Sequence, residues 1–168
     1  MGWLMTQGQT RAELIERRTR PWENNGLTAR CLAHACVGNV LWTVWEHRRA
    51  NGATERYIGC DLMAGQRGYG WGYKDMCESM GPCYYSCPLK YLDLAPEPEG
   101  PYAKGWRAKV REHHARLAAT NAKLRDLKVG DTIPLVGCKV PEVTIVSVRP
   151  LRGTYGGARY RIPRKVLG

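Results

Sequence analysis

Phenylalanine is absent from this chain, although tryptophan occurs six times and tyrosine nine. A core made without it must draw on aromatics that carry a polar atom, so several of these are expected at the core boundary or on a binding face. Long apolar runs are missing as well: none approaches the roughly 20 residues of a spanning helix, which leaves a membrane role without support. The stretch from Met1 to Thr6 has no basic segment followed by an apolar one, so a secretory signal is not expected. Gly2 with Thr6 fits a myristoylation pattern only loosely. Paired C-x-x-C spacing, the usual way for one turn to present two sulfurs to zinc, does not occur among the seven cysteines. Acidic residues are scarce at one end. Ala103 to Gly168 holds four Asp/Glu against fifteen Lys/Arg, whereas residues 1–102 hold eleven of each sign.

That shortage accounts for the whole net charge of +11. Solubility does not require one sign to be gathered at one end of a chain, so the split points to an electropositive face for an acidic partner, most often a nucleic-acid backbone. A chain of 168 residues buries roughly two-thirds of its unfolded surface, enough for a core that needs no metal or disulfide staple. An odd number of cysteines without an export mark reads as reduced thiols in a cytoplasmic compartment.

Local patterns predict an α+β fold. A helix starts near Thr10, where Thr10 and Glu13 have capping-box spacing. Leu27 to Cys36 and Val40 to Arg48 are β-compatible runs that meet at Gly38-Asn39, and Arg56 to Met63 follows the Asn51-Gly52 turn, giving an antiparallel meander. Trp42, Val44 and Glu46 then share one face. Residues 64–87 read as a Gly/Tyr/Cys-rich loop with one helical turn at Lys74 to Met80, and Pro88 opens a short helix through Leu94. A long amphipathic basic helix is expected from Lys104 to Leu127. Thr132 to Leu135, Glu142 to Val148 and Arg159 to Ile162 form a short, barrel-like β-rich tail. The expected organisation is a core over 1–94, a proline-rich linker over 95–102, and the basic helix with its strands over 103–168, packed as one globular unit.

The candidate interface follows the charge. Lys104, Arg107, Lys109, Arg111 and Arg116 decorate the helix, and Arg149, Arg152, Arg159, Arg161, Arg164 and Lys165 follow in the tail. Together they offer six or more phosphate contacts. Tyr155 and Tyr160 lie among those arginines, Tyr155 in a Gly153 to Gly157 loop where a base could stack. A plainer alternative is a solvated helix face, or one docked on the acidic stretch Glu97 to Glu99. No helix-turn-helix, zinc-finger or RNA-recognition signature occurs, so backbone or shape binding is expected over sequence reading.

Two other constellations compete. Cys77, Cys83 and Cys87 with His34 are the candidate metal ligands, but along a strand His34 and Cys36 face one side and Cys31 the other. Buried reduced thiols without a cofactor are the expected reading, and Zn at these ligands or Mg at the carboxylates below is the alternative. Asp61, Lys74, Asp75, Cys77 and Glu78 could serve a metal-dependent nuclease-like or thiol enzyme. Asp61 closing a strand, and Lys74 pairing with Glu78 across a helical turn, account for the same residues structurally. The helical pair His113-His114 is poorly placed for chelation, since neighbours on a helix point about 100° apart.

Several blocks carry a resemblance. Arg56-Tyr-Ile-Gly-Cys-Asp-Leu, Gly70-Trp-Gly-Tyr-Lys-Asp-Met76, Glu78-Ser-Met-Gly-Pro82 and Tyr84-Tyr-Ser-Cys-Pro-Leu-Lys-Tyr-Leu-Asp93 resemble a family of uncharacterised short proteins encoded by bacteriophages, plasmids and integrated mobile elements. Met1-Gly-Trp-Leu and Tyr160-Arg-Ile-Pro-Arg-Lys-Val-Leu are similar to it as well. The resemblance implies a setting and no catalytic residues: small proteins of such elements often inhibit host defence, of the anti-CRISPR or anti-restriction type. A basic chain is a poor mimic of DNA, so the expectation is a non-enzymatic binder of nucleic acid or of a host nucleoprotein complex. A purely protein-directed inhibitor is the further alternative.

Overall fold

A computed structural model describes residues 10–63, 72–75, 82, 84–163 and 167. Among the described residues, helices and antiparallel strands combine into an α+β architecture with two sheets and no closed barrel. The chain forms two compact units, Met1–His114 and Ala115–Gly168.

In the first unit, α1 (Arg11–Thr19) begins as the sequence predicts: Thr10 Oγ1 accepts from the Glu13 amide at 3.3 Å, and Glu13 accepts from the Thr10 amide at 2.7 Å. Strands β1 (Trp22–Asn24), β2 (Leu27–Val37), β3 (Val40–Arg48), β4 (Thr54–Leu62) and β5 (Gly72–Lys74) pair in chain order as an antiparallel meander. Gly38, at φ 60°, turns β2 into β3 in a conformation that costs a residue with a Cβ. Lys74 closes β5 rather than opening a helical turn, and the remainder of that expected turn, 76–80, lies outside the described residues.

One face of this sheet presents Val40, Trp42, Val44, Ile58 and Cys60 to α2 (Leu89–Leu94) and to α3 (Pro101–Asp126). Tyr91, Leu92, Trp106 and Val110 meet them there. In a core without Phe, two of the buried indoles have an acceptor: Trp106 Nε1 donates to the Tyr84 carbonyl at 2.8 Å and Trp42 Nε1 to Ser86 Oγ at 3.3 Å. Glu46, on the Trp42 face as expected, is 8 % exposed and clasped by Arg30 on β2 and Arg56 on β4. On the opposite face α1 covers Leu41 and Met63 through Leu14.

The proline-rich stretch is shorter than its composition predicts, because Pro101 occupies the first position of α3, where its missing N–H costs nothing. The division between the two units falls within that helix, between His114 and Ala115. In the second unit, β6 (Thr132–Pro134), β7 (Glu142–Val148), β8 (Leu151–Tyr155) and β9 (Ala158–Arg161) form an open antiparallel sheet in chain order, correcting the barrel-like expectation. Val143, Ile145 and Ile162 form its core with Leu124 and Leu127 packed against them.

Candidate nucleic-acid interface

Strand β8 occupies much of what the sequence presents as a glycine loop. Gly153 is a strand residue, buried opposite Ile145 and Tyr160. A Cβ there would sit 2.8 Å from the Val143 side chain and 3.0 Å from Ile162 Cδ1, so close approach to the core, and not turn geometry, requires glycine. The turn itself is the Gly156-Gly157 pair, at φ 56° and 81°.

With Gly153 facing inward, strand alternation puts Arg152 and Thr154 on the other face. Cross-strand pairing completes the surface: Arg161 stands opposite Arg152, Arg159 opposite Thr154, and Thr144 and Thr132 continue the Thr154 row across β7 and β6. The hydroxyls of Thr132 and Thr144 lie 3.2 Å apart. Arg152, Arg159 and Arg161 are exposed and form no ion pair with any described residue. Glu142 is the one acid in the four strands, on β7 beside Pro134 of β6. Two like charges directly opposite on a sheet repel, at a cost of about 0.2–1 kcal/mol. An anion bridging them removes that cost, so the arrangement is suited to phosphate.

The remaining candidate residues separate by unit. Arg116 and Arg149 are exposed in the second unit, with Tyr155 and Tyr160 at 44 % and 39 % exposure. Tyr155 ends β8 and Tyr160 lies within β9, both on the core-side register of the sheet. Arg164 and Lys165 lie outside the described residues. Lys104, Lys109 and Arg111 are exposed in the first unit, where Arg111 pairs with Glu97 at 3.2 Å, so part of the helix charge docks on the acidic stretch.

Arg107 drops out of the interface. It is 1 % exposed, donates through Nε and Nη2 to Asp75 Oδ2 at 3.0 and 2.7 Å, and donates through Nη1 to the Ala95 carbonyl at 3.2 Å. Asp75, fully buried, also accepts from the Ile58 amide at 2.8 Å. Burial raises the Asp75 pKa above the usual carboxylate value, while the Ile58 amide and the Arg107 guanidinium oppose the shift. A buried, fully engaged guanidinium cannot reach a phosphate.

The same pair takes Asp75 out of an enzyme site. Asp61 stands opposite Leu41 and pairs with Arg18 of α1 at 3.2 Å, whereas Asp75 pairs with α3, which packs on the Trp42 face. Leu41 and Trp42 are successive strand residues, so the two carboxylates lie on opposite sides of the sheet and no single ion meets both. Asp61 is itself pushed up by burial, with Arg18 opposing. Lys74 lies over the Tyr57 ring at 4.8 Å, and Cys77 and Glu78 lie outside the described residues.

The proposed metal ligands are likewise separated. Cys87 is buried in the Trp42 core, its thiol pushed up to about 12 chiefly by desolvation, while His34 is exposed and pairs with Thr43 on the other face. Cys77 and Cys83 lie outside the described residues. A bulge between Cys31 and Ala33 resets the alternation, so that Cys31 pairs with Trp45 and packs beside it, on the side of His34 rather than away from it. Among the described residues no group of three or more His, Cys, Asp or Glu is gathered as a metal ion would require.

Comparison with known proteins adds no relative. No family model, curated protein or solved structure matches this chain. The reading therefore rests on the residues themselves. Sequence reasoning named Arg125 among the helix cations but missed the threonine row. The alternation Glu142-Val-Thr-Ile was the available signal for the row.

Proposed function

We propose that this protein is a non-enzymatic nucleic-acid binder whose contact surface is the arginine and threonine face of the second unit. The observation that carries the reading is the Arg152–Arg161 cross-strand pair with Arg159 two residues along β9: three guanidiniums on one face of one small sheet, none ion-paired with a described residue. A merely soluble surface gains nothing from setting like charges opposite each other, whereas a phosphate backbone presents repeated anions at a spacing that several arginines can follow. The second unit carries eleven Lys/Arg and three Asp/Glu, which adds steering at long range. In the mobile-element setting that the sequence blocks imply, the partner is nucleic acid or a host nucleoprotein complex, and inhibition of host defence is the proposed role.

The test is an anisotropy titration of the whole protein with labelled oligonucleotides at low salt. Arg152→Glu with Arg159→Glu should lower affinity more than about tenfold without moving the melting temperature, since two phosphate contacts become two repulsions. Arg111→Glu, whose partner is Glu97, should change affinity far less. Unchanged binding by the double variant would overturn the reading.

A further inference from the structure

The second unit also contains a cleft of about 910 Å³, toward the upper end of the range of roughly 300–1,000 Å³ for ligand pockets. Its floor is apolar, formed by Leu124, Leu127, Val148, Leu151 and Ile162. Arg125 from the last turn of α3, Arg149 from the β7–β8 turn and Arg161 from β9 stand around it, and no described acid lines it. Arg125 and Arg149 are exposed, and neither forms an ion pair with a described residue. Arg161 lines this wall and also stands opposite Arg152, so the cleft, on the core side of the sheet, borders the arginine face along the β9 edge.

An apolar floor under a ring of guanidiniums is complementary to a ligand that is flat and apolar in one part and anionic in another. Inorganic phosphate would leave the floor empty, and an aliphatic chain would leave the arginines unused. A nucleotide meets both: its base covers the floor or stacks on a guanidinium plane, and its phosphate meets the arginines. In a duplex the base is stacked and paired and cannot descend into a cleft, whereas an unpaired base can be splayed outward.

We infer that this cleft holds one unstacked nucleotide of a single strand, and that the protein prefers single-stranded nucleic acid to duplex. The inference rests on the proposed nucleic-acid interface and adds the form of nucleic acid that it takes. The basic sheet follows the backbone of the flanking nucleotides, and the cleft supplies the contact that a duplex cannot make.

The experiment uses the whole protein with a short single strand and a blunt duplex of the same length and sequence, at matched salt. A 2-aminopurine is placed in the strand to report unstacking. The wild type should favour the single strand by roughly five- to hundredfold, the range expected from sequestering one base, and 2-aminopurine emission should rise on binding. Arg125→Ala with Arg149→Ala should reduce that preference and the emission change while leaving most duplex affinity. Arg152→Glu with Arg159→Glu should weaken both ligands together. Equal affinity for the two forms, or binding without any change in emission, overturns the cleft assignment while the basic interface stands. Absence of binding to either form at low salt overturns the interface itself. Displacement of the strand by an acidic peptide but not by a nucleoside monophosphate would assign the cleft to a protein partner and also overturn the inference.

Discussion

Removing the Asp75 carboxylate is the most severe single-site test of the fold described above. Asp75 and Arg107 are 0 % and 1 % exposed. Asp75→Ala strands the Arg107 guanidinium with two backbone carbonyls and with Glu97, which is half exposed and 3.5 Å away. It also leaves the Ile58 amide without its acceptor. Breaking a buried pair from one side costs about 3–5 kcal/mol, and for a chain of this size that lowers the melting temperature by roughly 6–20 °C. The double variant Asp75→Ala with Arg107→Met removes both charges and should regain part of the loss. It will not regain all, because the Ile58 amide and the Ala95 carbonyl stay unpaired, at about 1–3 kcal/mol each. Arg111→Ala is the matched surface control. Its partner Glu97 is 51 % exposed and Arg111 52 %, so the change should cost under about 1 kcal/mol. Denaturant titration followed by tryptophan fluorescence measures all of these. If Asp75→Ala cost no more than Arg111→Ala, or if adding Arg107→Met made it worse, the buried pair would not hold α3 to the sheet as described.

Three further outcomes are expected. Gly153→Ala drives a Cβ to within 2.8 Å of Val143 and should cost about 1–3 kcal/mol. Gly105→Ala, on an open helical position, should stabilise by roughly 0.5–1 kcal/mol in the same assay. His47 donates or accepts a hydrogen bond to Tyr57 at 3.0 Å, and burial holds its pKa below the ordinary value of 6.5. The fold therefore favours neutral imidazole: its contribution is complete above 6.5 and is lost as pH falls through the lowered value. His47→Gln should flatten the melting-temperature profile across that window.

Local chemistry was legible from sequence where it was self-contained. Thr10 and Glu13 cap α1 within one turn, and Gly38-Asn39 joins two runs whose alternation is regular, so neither needs knowledge of the rest of the chain. Partners distant in sequence were not legible. Arg107 looks like every other cation on its helix, and only the arrival of Asp75, 32 residues earlier, makes it a core residue. Cys31 changes side because a bulge adds one residue to β2, an irregularity that alternation cannot reveal. Strand β8 was hidden because Gly153 is read as a turn, whereas its glycine is required by the Val143 side chain packed beneath it. The basic face was half legible: the charge excess is visible in composition, but which arginines share a face depends on the register of β8 and β9.

The central claim is that phosphate neutralisation by the second unit drives association, and the salt dependence of binding measures that directly. Affinity of the whole protein for a short single strand should fall linearly on a plot of log K against log salt. With roughly four to six arginines engaged, the slope should be about −3 to −4, and it should shrink by about one for Arg152→Ala with Arg159→Ala. A slope near zero, or one unchanged in that variant, would contradict the account.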